Sequence, residues 1–100
     1  MRVDEGLNLS VLPGRFAICR LAPNREIPQW ALRSRPFLSI TYTGDELSIV
    51  CRSDFVPPDV RCELDWAAIK VKGPLDFSLT GILASLTVPL ADGGISIFAV

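Results

Sequence analysis

Apolar and polar positions alternate along much of the chain, and a period of two predicts strands with one buried face. Leu7, Leu9 and Val11 alternate with Asn8 and Ser10, which predicts a first strand. Pro13-Gly14 marks a turn, and Arg15 to Leu21 predicts a second strand with Phe16 and Ile18 on one side and Ala17 and Cys19 on the other. These two strands are expected to form a hairpin. Ala22 to Arg25 reads as a loop, and Pro28 to Leu32 as a short helix, with proline suited to a helix start because the first amides lack partners. The clearest hairpin follows. Leu38, Ile40 and Tyr42 alternate with Ser39, Thr41 and Thr43, Gly44-Asp45 turns the chain, and Leu47, Ile49 and Cys51 return on one face of Glu46 to Arg52.

Val56-Pro57-Pro58-Asp59 reads as a stiff linker able to separate two halves. Beyond it, Ala67, Ile69 and Val71 alternate with Ala68, Lys70 and Lys72 as another strand, closed by Gly73-Pro74. From Ser78 to Ala91 the period changes. Leu79, Ile82, Leu83, Leu86 and Leu90 form one helical stripe, with Asp76 or Ser78 as N-cap and Pro89 loosening the last turn. The opposite face, Thr80, Ala84, Thr87, Val88 and Ala91, is small and uncharged, which suggests that another surface covers it. Asp92-Gly93-Gly94 stops the helix, and Ile95 to Val100 resumes as a strand. The expected order is β-β-α-β-β, linker, β-α-β.

Composition narrows the chemistry. The chain has 100 residues, 49% hydrophobic and 21% charged, so it has enough apolar surface for a core. A net charge of −1 argues against a nucleic-acid module. The absence of histidine removes Ser-His-Asp and Cys-His catalysis and histidine-containing zinc sites. Asp4 and Glu5 interrupt what would be a signal peptide, and the uncharged stretch from Phe77 to Ala91 is too short and too polar to span a membrane. Cys19, Cys51 and Cys62 form no C-x-x-C pair; buried thiols in a reducing cytoplasm are expected, not a metal site or a bound cofactor. Glu63 and Asp65 read as a solvated strand face, and Trp30 and Trp66 as core or rim.

The stretch Gly73 to Leu86, followed by Pro89-Leu90-Ala91 and Gly94-Ile95-Ser96-Ile97-Phe98-Ala99, resembles the ACT-domain family of small ligand-binding modules. Within it the likeness is to bacterial paired-ACT proteins similar to CASTOR-type arginine sensors. Thr80-Gly81-Ile82-Leu83 stands where the family has Pro-Gly-x-Leu, and Gly94-Ile95-Ser96-Ile97 where it has Gly-Ile-x-Ile. The departures are Thr80 for proline, and Ser78 for the acid three positions before the glycine. The resemblance implies an α+β chain of ferredoxin-like β-α-β units with antiparallel sheets. Residues 1–60 would form a reduced first unit and residues 61–100 a second unit lacking its last strand and helix.

What the resemblance implies about function is a non-catalytic regulatory module that holds a free amino acid between units; the uncharged helix face predicts a homodimer or higher oligomer, and the cysteines, net charge and short apolar stretch a cytoplasmic module with neither nucleic acid nor membrane as partner. Free amides at the helix start, within Asp76, Phe77, Ser78 and Leu79, suit a carboxylate. The turn Asp92, Gly93, Gly94, Ile95 and Ser96 offers close backbone approach, and Asp76 or Asp92 an acid for an ammonium group. The alternatives are that Asp76 only caps the helix, that Asp92 only ends it, and that the module is structural, an oligomerisation unit with no retained ligand. An enzyme is not expected, since no nucleophile–base pair is present.

Overall fold

The computed structural model describes residues 8–72 and 79–100. The elements are β1 (Asn8–Val11), β2 (Phe16–Leu21), α1 (Gln29–Leu32), β3 (Ser39–Tyr42), β4 (Leu47–Arg52), a 3-10 turn (Ser53–Phe55), β5 (Cys62–Trp66), β6 (Ile69–Lys72) and α2 (Leu79–Asp92). Val11–Ile69 form one compact unit, and the described parts of Met1–Ser10 and Lys70–Val100 the other. The whole is a mixed α+β arrangement with antiparallel strands, in keeping with a ferredoxin-like ACT fold.

The larger unit is a four-stranded sheet in the order β3-β4-β2-β5, with each described pairing antiparallel. The predicted β3–β4 hairpin forms with Ile40 opposite Ile49 and Tyr42 opposite Leu47. Thr43 closes its loop: the Oγ1 oxygen accepts from the amides of Asp45 (3.2 Å) and Glu46 (3.1 Å), and the Thr43 amide donates to the Glu46 carbonyl at 3.0 Å. Alternation places Leu47, Ile49 and Cys51 in the core, where they meet Ala17, Cys19, Leu21 and Ala31, all buried. Trp30, Leu38, Ile40, Val56, Val60 and Cys62 pack against this cluster. Full burial of a side chain such as Leu47 or Ile49 contributes about 1.5–3 kcal/mol each. Val56 and Val60, at either end of the proline pair, are thus anchored to the sheet.

The two N-terminal strands do not pair with each other. Strand β1 pairs with β6, and β2 lies between β4 and β5. A short turn permits a hairpin but does not compel one, and β2 pairs instead with the largely buried β4 on one edge and with β5 on the other. Both faces of β2 are covered, since Phe16, Ala17, Ile18 and Cys19 are all buried. On the face away from the main cluster, Phe16 meets Phe37 edge-on at 6.2 Å.

Strand β5 carries an irregularity. Phe16 pairs with Trp66 and Ile18 with Glu63, so Leu64 and Asp65 together oppose Ala17. Asp65 absorbs the extra residue with φ 68°, a left-handed conformation that aspartate tolerates better than most side chains. Glu63 and Asp65 therefore do not share a regular strand face. The expected strand at Ile95–Val100 is also absent: these residues are exposed and join no described ladder. Apolar alternation alone does not make a strand without a neighbour to receive its hydrogen bonds.

Ser34 ties the end of α1 to the sheet. Its hydroxyl donates to the Phe37 carbonyl at 2.6 Å and accepts from the Arg52 amide at 2.9 Å, and the residue is 1% exposed. Ser34→Ala orphans both backbone groups, so we expect a loss of about 1–3 kcal/mol, read as a lower urea midpoint with unchanged slope.

Candidate functional site

Helix α2 organises most of the sequence-predicted site. Leu79 opens it and Asp92 closes it, one residue later at each end than the expected 78–91. Asp76, Phe77 and Ser78 lie outside the described residues. Leu86 and Leu90 of the expected apolar stripe are half-buried, while Ala84, Val88 and Ala91 of the opposite face are exposed.

The C-terminal end of α2 is a complete glycine cap. The Gly93 amide donates to the Pro89 carbonyl (3.1 Å), Gly94 to Ala91 (2.9 Å) and Ile95 to Leu90 (2.9 Å). Gly94 takes φ 74°, as the six-to-one and five-to-two bonds of such a cap require. The expected backbone donors of Gly93, Gly94 and Ile95 are thus already spent on helix carbonyls. Ser96 follows on an exposed strand-like stretch without a ladder.

Of the described residues of the expected site, Leu79 and the turn from Asp92 lie at opposite ends of α2. Helix α2 runs for fourteen residues from Leu79 to Asp92. At about 1.5 Å of rise per residue the ends stand about 20 Å apart. One amino acid cannot touch both ends of the same helix. We expect Gly94→Ala to destabilise the helix end by about 1 kcal/mol, since a Cβ is disfavoured at positive φ; Gly93→Ala, where the nearest atom would lie at an ordinary 3.5 Å, should cost less. Thermal unfolding of the two variants measures the difference.

Two features of the larger unit escaped the sequence reading. The first is a cavity of about 270 Å³ beside β2 and β5, lined by Ile18, Arg20, Arg61, Cys62 and Glu63. Its walls carry two guanidinium groups and one carboxylate over an apolar floor. Arg20 also approaches Glu46 at 3.7 Å, an exposed pair of little energetic weight. Alternation along β2 does put Arg20 on the side of Ile18, but nothing local brings Arg61 and Glu63 beside them.

The second is the gathering of all three cysteines. Cys51, Cys19 and Cys62 sit on the adjacent strands β4, β2 and β5. Cys19 and Cys51 are fully buried and Cys62 is half-buried. A hydrogen bond to Cys51, then burial, holds the Cys19 thiol far above its ordinary range; the same bond lowers Cys51. Burial, then the neighbouring Cys19, raises Cys62. Among the described residues no group of His, Cys, Asp and Glu is arranged to hold a metal ion.

Thiols raised in the fold keep protons that the unfolded chain loses first, so they stabilise below the ordinary value of 9.0 and lose that contribution as pH rises beyond it. Two of the three thiols, Cys19 and Cys62, are raised. Under reducing conditions we expect the urea midpoint to fall between about pH 8 and about pH 10, and to fall less in Cys19→Ala.

Comparison with known proteins places the chain. A family model described as an ACT domain matches residues 61–100, and a model for the N-terminal domain of a related group matches residues 14–59. A crystal structure of an Agrobacterium tumefaciens protein, solved as a structural-genomics target, is 46% identical with a TM-score of 0.84. The match covers 94% of this chain and 69% of that one. No curated protein matches the chain. Among the described residues no helix is long and apolar enough to cross a membrane.

Proposed function

Because the chain belongs to the ACT-domain family, we propose that it is a non-catalytic regulatory module that binds a free amino acid. The ACT match over residues 61–100 carries this reading. ACT domains are regulatory ligand-binding modules, and an amino acid is a ligand whose charges suit the exposed chemistry of α2. Its carboxylate takes amides of the first helical turn from Leu79, where the helix dipole also favours an anion. Its ammonium group, or a basic side chain such as that of arginine, takes the carboxylate of Asp92.

The span of α2 gives this proposal a stoichiometry. The helix start and Asp92 are about 20 Å apart within one chain, so a ligand that uses both must draw them from two copies. The module is accordingly proposed to work as a homodimer in the cytoplasm. A ligand that binds the dimer better than the monomer stabilises the assembly by that difference and so transmits its own concentration.

Exposed Ile95, Ile97, Phe98 and Val100 support a second reading, an oligomerisation module with the ACT fold and no retained ligand. Thermal unfolding in the presence of each common amino acid separates the two. A ligand at about 100 times its Kd adds about 2.7 kcal/mol, which for a chain of this size raises Tm by on the order of 10 °C. We expect such a shift from one or two amino acids, together with ligand-dependent dimerisation in sedimentation velocity. No shift from any of them, with a dimer nonetheless present, would favour the oligomerisation module.

A further inference from the structure

The three cysteines are far apart in sequence and meet only through the strand order β4-β2-β5. Their positions on the ladders are not equivalent. Cys19 of β2 stands directly opposite Cys62 of β5. Directly opposed residues of an antiparallel pair have Cα atoms about 4.5–5.5 Å apart, within the span of about 4.4–6.8 Å that a disulfide bridges. Cys51 stands opposite Ala17, two pairs along the β2–β4 ladder from Cys19, and so lies diagonal to Cys19 on the same face. Diagonal neighbours have Cα atoms about 7–8 Å apart, so the Cys19 and Cys51 thiols make their hydrogen bond across a backbone separation longer than a disulfide spans.

Access differs as well. Cys19 is 0% exposed, as is Cys51, whereas Cys62 is partly open on β5, which has β2 as its described neighbour and occupies an end of the sheet. A small uncharged oxidant therefore meets Cys62 first. The half-buried thiol has its bonding partner already aligned across the ladder.

We propose that Cys62 and Cys19 form a reversible cross-strand redox pair, with Cys62 the thiol attacked by peroxide and Cys19 the thiol that resolves it. The Cys62 thiolate attacks one oxygen of hydrogen peroxide, the O–O bond breaks, and hydroxide leaves and takes a proton to become water. The Cys62 sulfur is thereby oxidised to a sulfenic acid. The Cys19 sulfur then attacks the Cys62 sulfur, the S–O bond breaks, and the departing hydroxide takes the Cys19 proton as a second water. Two thiols and one peroxide give one disulfide and two waters. The bond fastens the β5 edge to the central strand, and a thiol reductant reverses it.

The reaction is slow at neutral pH, because the thiolate is the attacking form and burial keeps Cys62 protonated. The titratable groups facing Cys62 are the Cys19 and Cys51 thiols, and Arg61 and Glu63 flank it along the chain. Slow formation suits a sensor of sustained oxidation more than a catalytic thiol.

Peptide mapping after mild peroxide treatment of the reduced, folded chain tests the pair. We expect a mass lower by two hydrogens, a Cys19–Cys62 linked peptide, a free Cys51, a raised Tm and full reversal by dithiothreitol. Cys51→Ala should give the same link. In Cys19→Ala the Cys62 sulfenic acid should persist and be trapped by dimedone; should that variant fail to fold, the map of the unaltered chain and of Cys51→Ala decides. A link through Cys51, a link between two chains, over-oxidation of Cys62 without a link, or no oxidation of the native chain would each overturn the proposal.

Discussion

Strand β2 is hydrogen-bonded to β4 along one edge and to β5 along the other, and its residues Phe16 to Cys19 are buried whichever way they point. A strand in that position has no free edge, and of its residues only Arg20 is exposed. Every backbone group on it must find a partner, because an unpaired buried amide or carbonyl is expensive. Much of the larger unit can be read as meeting this requirement. The β3–β4 hairpin supplies one edge and a layer of apolar side chains, α1 brings Ala31 and Trp30 over the sheet, and β5 supplies the second edge at the expense of a left-handed Asp65.

The same constraint explains which elements were legible in the sequence. The β3–β4 hairpin needs only local information: two alternating runs and a four-residue connection that Thr43 can close by itself. Helix α2 is equally local, with a 3.6-residue period and a glycine pair at its end, and its described limits differ from the expected ones by a single residue. Strand β5 is different. Its residues alternate Cys62, Leu64, Trp66 against Glu63, Asp65, so a strand face is readable there, but the two-against-one pairing opposite Ala17 depends on β2 and is not. The partner of β1 is equally hidden, since β6 lies about sixty residues away and pairing at that distance is decided by tertiary packing.

The candidate chemistry divides along the same line. The glycine turn after α2 was readable because positive φ has a residue signature, and Gly94 carries it. Its meaning was not readable. Glycine permits both close approach of a ligand and self-contained capping of a helix, and the Leu90, Pro89 and Ala91 carbonyls take up the amides of the turn. The thiol cluster was invisible for a topological reason. Cysteines at positions 19, 51 and 62 acquire significance only when β4, β2 and β5 are known to be neighbours, and only the register distinguishes the opposed pair from the diagonal one.

The two units therefore depend on different kinds of information and are suited to different tasks. The residues around β2 are fixed by mutual burial, so a change there is felt through packing and through the protonation of the buried thiols. Helix α2 has a less enclosed environment: Ala84, Val88 and Ala91 are exposed, the carbonyls of its last turn accept the amides of Gly93, Gly94 and Ile95, and the segment after it is apolar, exposed and in no described ladder. Such an element has its local geometry settled in advance and its outer surface still unburied. A second copy or a ligand that covers this surface gains apolar burial without first breaking the helix cap, and that is the physical condition under which binding can change assembly while leaving the fold of each chain unchanged.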